Sequence, residues 1–258
     1  MMLEQFFEEN NAAAIAFSGG VDSAFLLSMA VRCGARVTAY YVKTAFQPQF
    51  ELEDACRLAK ELNVPMQVLP VDILCHQQIA ANPADRCYYC KKVIFETILN
   101  AAKEDGYSLL LDGTNASDDA GDRPGMRALA ELSVRSPLRE CGLHKEEVRR
   151  LSKELGLFTW DKPAYACLAT RIPAGEEITQ DKLERTERAE SYLESLGFRD
   201  FRVRSVEDTA KLQVTNQDFP NVHKKLLKLS FECTDRENRD ILKALKEMLI
   251  LTREEYPR

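Results

Sequence analysis

Several features that mark common function classes are missing from this chain. No apolar run approaches the roughly 20 residues that a bilayer-spanning helix needs. The N-terminal stretch MMLEQFFEENN is acidic and lacks the basic start of a signal or transit peptide. The expected compartment is the cytoplasm, with no membrane partner. A basic excess is also missing. The formal net charge is −6, acids outnumber bases before residue 171, and the two nearly balance after it. That counts against a nucleic-acid footprint while leaving a local basic patch open, and no nucleic-acid partner is expected. The histidines, His76, His144 and His223, are scattered and suggest no metal cluster. Neither G-x-x-x-x-G-K-[ST] nor G-x-G-x-x-G occurs, and there is no internal repeat, low-complexity tract or long linker.

What is present is alternation. AAAIAFS, RVTAYYV, PMQVLPVDI and YSLLLDGT read as strands, separated by helical patterns in DSAFLLSMAVR, ELEDACRLAKEL and KKVIFETILNAAKEDG, the last closed by Gly106. Such alternation predicts an α/β fold, a parallel sheet with helices on both faces. The pattern changes after KPAYACLATRIPAGEEIT. Residues 179–196 read as one charged amphipathic helix, DFRVRSVEDTAKLQVT as a pair of strands, and two more helices follow. This predicts a first domain over 1–165 and a smaller α+β domain over 166–258, with the boundary within 160–175.

The most informative short stretch is SGGVDS, residues 18–23, at the hand-over from the first strand to the first long helix. The carboxyl end of a parallel strand is where α/β proteins bind ligands. Gly19 and Gly20 admit an anion close to the backbone, and the amides and dipole at the helix start favour phosphate. Ser18 and Ser23 add hydroxyl donors, and Val21 continues the loop. Asp22 would repel phosphate alone, so a magnesium ion is expected between them. The bland alternative is a glycine turn with a helix cap. The whole hexapeptide in this context resembles the PP-loop of ATP pyrophosphatases, the adenine nucleotide alpha hydrolase-like fold. That resemblance implies cleavage of ATP between its α- and β-phosphates. LDGTNASDD, residues 111–119, resembles the second nucleotide-side segment of such enzymes, with Asp112, Thr114, Asn115 and Asp118 as candidates. An ordinary acidic loop is the alternative.

Cysteine is abundant: eight residues, in a chain expected to be reduced. Cys33, Cys56 and Cys75 sit among apolar residues and read as packing, while Cys141 and Cys233 are uninformative. Cys87 and Cys90 form a C-x2-C just before a helix, where Arg86, Lys91, Lys92 and the helix start would favour thiolates. That spacing lets two sulfurs reach one metal, zinc included. Cys167, taken alone, reads first as a core thiol.

Taken together, SGGVDS, DRCYYCKK and KPAYACLATRIPAGEEIT occur in the order and spacing of one family. Across most of its length the chain resembles LarE, the ATP-dependent sulfurtransferase family of nickel-pincer nucleotide synthesis. The resemblance implies adenylation of a carboxylate of pyridinium-3,5-biscarboxylic acid mononucleotide, then displacement of AMP by sulfur. In one LarE type the cysteine matching Cys167 gives up its own sulfur. In the other, cysteines matching Cys87, Cys90 and Cys167 hold a 4Fe–4S cluster, and this chain has all three. The resemblance also places Arg202, Arg204 and Glu190 at the substrate-phosphate or metal region, and Arg202 and Arg204 alternate onto one strand face. Gln213 stands where the family often has an acid. The expected cofactors are therefore ATP, Mg2+ and the cluster, with Cys167, Asp22 and Ser23 carrying the chemistry. The expected partners are the nucleotide substrate and sulfide or another sulfur donor; a homo-oligomer is left open. Two other readings stand beside this one: a tRNA-thiolating PP-loop enzyme, and a non-catalytic nucleotide- or metal-binding regulator.

Overall fold

A computed structural model describes residues 2–118, 124–206, 209–214 and 252–253. The two final helices read from the sequence lie outside these residues. The chain divides into two compact units, Met1–Tyr165 and Ala166–Arg258.

The first unit opens with α1 (Leu3–Glu9), β1 (Ala12–Ala16), α2 (Val21–Arg32), β2 (Arg36–Lys43), α3 (Gln49–Glu61) and β3 (Met66–Pro70). It continues with α4 (Gln77–Ala80), α5 (Arg86–Glu104), β4 (Leu110–Leu111), α6 (Pro124–Glu131), α7 (Pro137–Glu140) and α8 (Lys145–Glu154). The four strands are parallel, in the order β3-β2-β1-β4. β3 and β4 are shorter than their apolar runs suggest. Residues 71–75 leave the sheet for a 3₁₀ turn, and only Leu110 and Leu111 pair with β1.

Burial explains why the inner strands carry almost no polar residues. Alternate side chains of β1 and β2 enter two separate cores, as the pleat requires. Ile15, Ala39 and Tyr41 pack with Phe7, Phe25, Leu27 and Leu58, while Ala14, Tyr40 and Val42 pack with Phe95, Ile98 and Tyr107. Each large side chain removed from water in this way contributes about 1.5–3 kcal/mol. The sheet is thus covered on both faces. β1 lies between β2 and β4, so its carboxyl end is the point where the chain's strand order reverses, the place where open α/β sheets leave a crevice.

The second unit contains α9 (Gln180–Ser195), capped by Thr179, whose hydroxyl accepts from Lys182 N. β5 (Phe201–Val206) and β6 (Thr209–Val214) pair antiparallel, and β7 (Thr252–Arg253) adds parallel to β6. A small core of Leu193, Phe198, Val203, Leu212 and Val214 holds helix to hairpin.

Candidate functional site

The hexapeptide 18–23 forms a tight turn between β1 and α2. Its conformation depends on glycine. Gly19 has φ +72°, and a Cβ there would stand 3.1 Å from the Glu51 carbonyl oxygen of α3. Gly20 is the N-cap of α2 and, as a glycine, brings no side chain to cap the first amides of the helix. The two serines brace the turn. Ser18 N donates to Ser23 Oγ at 3.3 Å, Ser23 Oγ donates to the Gly20 carbonyl at 3.2 Å, and the two hydroxyl oxygens lie 3.1 Å apart. Ser23 and Val21 are buried, and Ser18 is exposed.

The segment after β4 presses directly on this turn. A Cβ on Gly113 would fall 2.7 Å from Ser23 N and 3.0 Å from its Cα, so only glycine fits. Sequence inspection missed Gly113; its place between Asp112 and Thr114 was the available signal. The polar residues around it have unequal duties. Asp112 is buried, and its carboxylate accepts from Ser136 Oγ at 2.6 Å and Thr114 Oγ1 at 2.5 Å. Asp118 accepts from Asn115 N at 3.1 Å and closes the loop. These are bonds that shape a loop. Asn115 reaches the glycine turn, with Nδ2 3.3 Å from Asp22 Oδ1.

Asp22 has a second partner that the sequence did not reveal. Lys145 Nζ lies 2.5 Å from Asp22 Oδ2. Lys145 is the first residue of α8, where a cation opposes the helix dipole. That misfit was the one local sign of a role. Its amide is held by Ser117 Oγ at 2.9 Å. Asp22 is the carboxylate at this turn, and magnesium typically takes one or two carboxylates together with substrate phosphates and water. The turn fits that mode of binding.

Spacing predicts Cys87 and Cys90 just before a helix. The structure places them inside the first turns of α5, because the helix begins at Arg86. Three residues apart, they share one face, with Cys87 exposed and Cys90 half-buried. Arg86 is buried, donates to Asn82 Oδ1 at 2.7 Å, and holds Nη2 3.8 Å from Cys87 Sγ. Two thiols on one helix face are suitable donors for iron–sulfur or zinc, yet they are only part of a site. No group of three His, Cys, Asp or Glu residues stands together among the described residues. Two other thiols depart from expectation. Cys56 and Cys75 are exposed and do not pack; Cys56 falls off the face of α3 that buries Ala55, Leu58 and Ala59. Cys33 is half-buried, and burial pushes its thiol upward in pKa.

In the second unit Cys167 is half-buried and immediately precedes a short 3₁₀ turn, Leu168–Arg171. Its carbonyl accepts from Thr170 N at 2.9 Å and Thr170 Oγ1 at 2.8 Å. Arg171 fixes the segment from below: it is fully buried, and Nη1 donates to the Ala166 carbonyl at 3.1 Å. Glu190 meets this arginine through both oxygens and also accepts from Val203 N at 2.8 Å. Its carboxylate thus braces Arg171 and the β5 backbone, beside the strand that carries Arg202 and Arg204. Arg202 and Arg204 pair across the hairpin with Gln213 and Lys211. Arg204 Nε donates to Gln213 Oε1 at 2.5 Å and Nη1 to the Thr170 carbonyl at 3.0 Å. Both acceptors are neutral. No helix among the described residues is long and apolar enough to cross a membrane.

Comparison with known proteins adds to this geometry. The family model described as queuosine biosynthesis protein QueC matches residues 12–85, which span β1, the glycine turn and β2. An uncharacterized protein of Synechocystis is 41% identical, covering 82% of this chain and 80% of its own. Another from Methanocaldococcus jannaschii is 31% identical over 80% of this chain and 79% of its own. The pyridinium-3,5-bisthiocarboxylic acid mononucleotide synthase of Lactiplantibacillus plantarum is 37% identical, covering 78% of this chain and 73% of its own. A match of that extent, on a chain that folds its glycine turn at the reversal point of a parallel sheet, shows that the protein belongs to the LarE family.

Proposed function

We propose that the protein is an ATP-dependent sulfurtransferase that converts a carboxylate of pyridinium-3,5-biscarboxylic acid mononucleotide into a thiocarboxylate. The similarity to the Lactiplantibacillus plantarum synthase over most of both chains carries this reading. ATP is split to AMP and pyrophosphate. A substrate carboxylate oxygen attacks the α-phosphorus, the bond to the β-phosphate oxygen breaks, and the acyl-adenylate is opened by sulfur with loss of AMP.

The chain's own residues divide the work. Gly19 and Gly20 bring backbone close to the leaving pyrophosphate, and Ser18 and Ser23 supply hydroxyls there. Asp22 would hold a magnesium ion, which when bound offsets the phosphate charge. Thr114 shapes the neighbouring loop and Asn115 orients Asp22. Arg202 and Arg204 receive the anionic substrate; the Arg204 acceptors among the described residues are neutral, which suits that purpose. Glu190 acts at one remove, by locking Arg171 and hence the Cys167 turn. Cys87, Cys90 and Cys167 would hold a 4Fe–4S cluster, which when bound supplies sulfur from an iron lacking a protein thiolate.

The test is product analysis with the purified full-length chain, handled without oxygen. AMP, pyrophosphate and the thiocarboxylate are expected together, and only when the pyridinium dicarboxylate nucleotide is present. ATP consumption with no sulfur entering that nucleotide would reject the substrate assignment.

A further inference from the structure

Both oxygens of the Asp22 carboxylate are engaged, Oδ2 by Lys145 Nζ at 2.5 Å and Oδ1 by Asn115 Nδ2 at 3.3 Å. Each oxygen keeps a second lone pair, but the two donors crowd the carboxylate and the ammonium offsets its charge, so a cation is held weakly until one donor withdraws. An ammonium so close also repels any approaching divalent cation. The two donors differ in freedom. Asn115 is buried; its Oδ1 accepts from Ser117 N at 2.8 Å and its backbone N–H donates to Asp118 Oδ2 at 3.1 Å. Among the described residues, Lys145 is held at its backbone by Ser117 Oγ, and its side chain by Asp22. Its ammonium ends a flexible four-carbon stem, and the side chain keeps 32% of its exposure. Lys145 is the donor that can leave.

A lysine that leaves one anion is stabilised by finding another within reach. The turn beside it is the one shaped for phosphate, and a nucleoside triphosphate delivers several negative charges there. We propose that Lys145 is an exchange residue: the counter-ion of Asp22 while the turn is without nucleotide, and a donor to a pyrophosphate oxygen once nucleotide is bound. The inference rests on the adenylating reading and adds two consequences. Lys145 holds the carboxylate ordered and discourages a divalent cation from settling on it alone. It then joins the leaving group, so that metal and phosphate arrive together.

Calorimetric titration of the full-length chain with pyrophosphate, in magnesium, tests this with Lys145→Gln and Lys145→Arg. Losing a charge-assisted hydrogen bond should weaken pyrophosphate binding about tenfold to hundredfold in Lys145→Gln, and Lys145→Arg should restore most of it. Magnesium titrated alone should behave oppositely and bind Lys145→Gln more tightly than the unaltered chain, because the competing cation is gone. A merely structural lysine would weaken both. Both variants should melt near the parent temperature, since a part-exposed pair adds little stability. Unchanged pyrophosphate affinity in Lys145→Gln would overturn the exchange and leave the adenylating reading standing. So would magnesium binding, without phosphate, that is unchanged or weaker. An unaltered chain that binds no pyrophosphate would reject that reading, and the exchange with it.

Discussion

The Arg171 guanidinium grips the Glu190 carboxylate through two nitrogens, at 2.7 and 3.1 Å, inside the core of the second unit. The arginine side chain is 0% exposed and the glutamate side chain 6%. Neither can be hydrated if the other is lost. Glu190→Gln should therefore destabilise this unit by about 3–5 kcal/mol, the usual consequence of leaving one buried charge unpaired. Urea unfolding of the full-length chain, followed by a probe on the second unit, measures it. A loss below about 1 kcal/mol would mean the pair is hydrated after all.

Gly113→Ala puts a methyl group 2.7 Å from Ser23 N. The clash is with backbone, which cannot rotate away as a side chain would. A stability loss of about 1–3 kcal/mol is expected from such overpacking. ATP affinity should fall with it, since the displaced atoms belong to the glycine turn. Normal ATP affinity in the alanine variant would show that the contact does not shape the nucleotide site.

Asp22→Asn keeps the size of the side chain but removes the charge that Lys145 and a magnesium ion would share. Turnover should drop by at least about a hundredfold and should not be recovered by raising magnesium. Chromatography of the nucleotide products of the parent chain accompanies this test. ADP as the main product would exclude cleavage at the α-phosphorus.

Arg202→Lys and Arg204→Lys preserve charge and remove the planar fork. Binding of the pyridinium nucleotide should weaken by about tenfold in each, with ATP binding unchanged, because the proposal gives these arginines the substrate and the glycine turn the ATP. Equal losses for both ligands would contradict the substrate role.

Cys87→Ala, Cys90→Ala and Cys167→Ala should each lose most protein-bound iron and acid-labile sulfide after anaerobic purification. ATP binding should persist in all three. Cys56→Ala should retain full iron content, as an exposed thiol off the buried face of α3. Mass spectrometry after turnover with added sulfide is the deciding measurement. If Cys167 had lost one hydrogen sulfide, it would be a sacrificial donor and the cluster mechanism would be wrong.

The glycine turn was legible in the sequence because its signals are local. A glycine turn between an apolar strand and a helix is written in a dozen consecutive residues, and the structure folds it as a turn capped by Gly20. The sheet was legible for the same reason, since inner strands buried on both faces must be apolar throughout. Boundaries were less so. The start of α5 at Arg86 takes the C-x2-C into the helix, because nothing in DRCYYCKK marks where the first turn begins.

By itself, then, the sequence determined the parallel sheet, the glycine turn between strand and helix and the family, all carried by short segments whose chemistry does not depend on distant residues. Only the tertiary structure decided which polar groups are committed to one another. Lys145 lies 123 positions from Asp22, Gly113 is required by the backbone of Ser23, and Glu190 is claimed by Arg171. Such pairings follow from how helices and loops converge at the end of a sheet. A charge acts through distance in space, and distance along the chain does not set it.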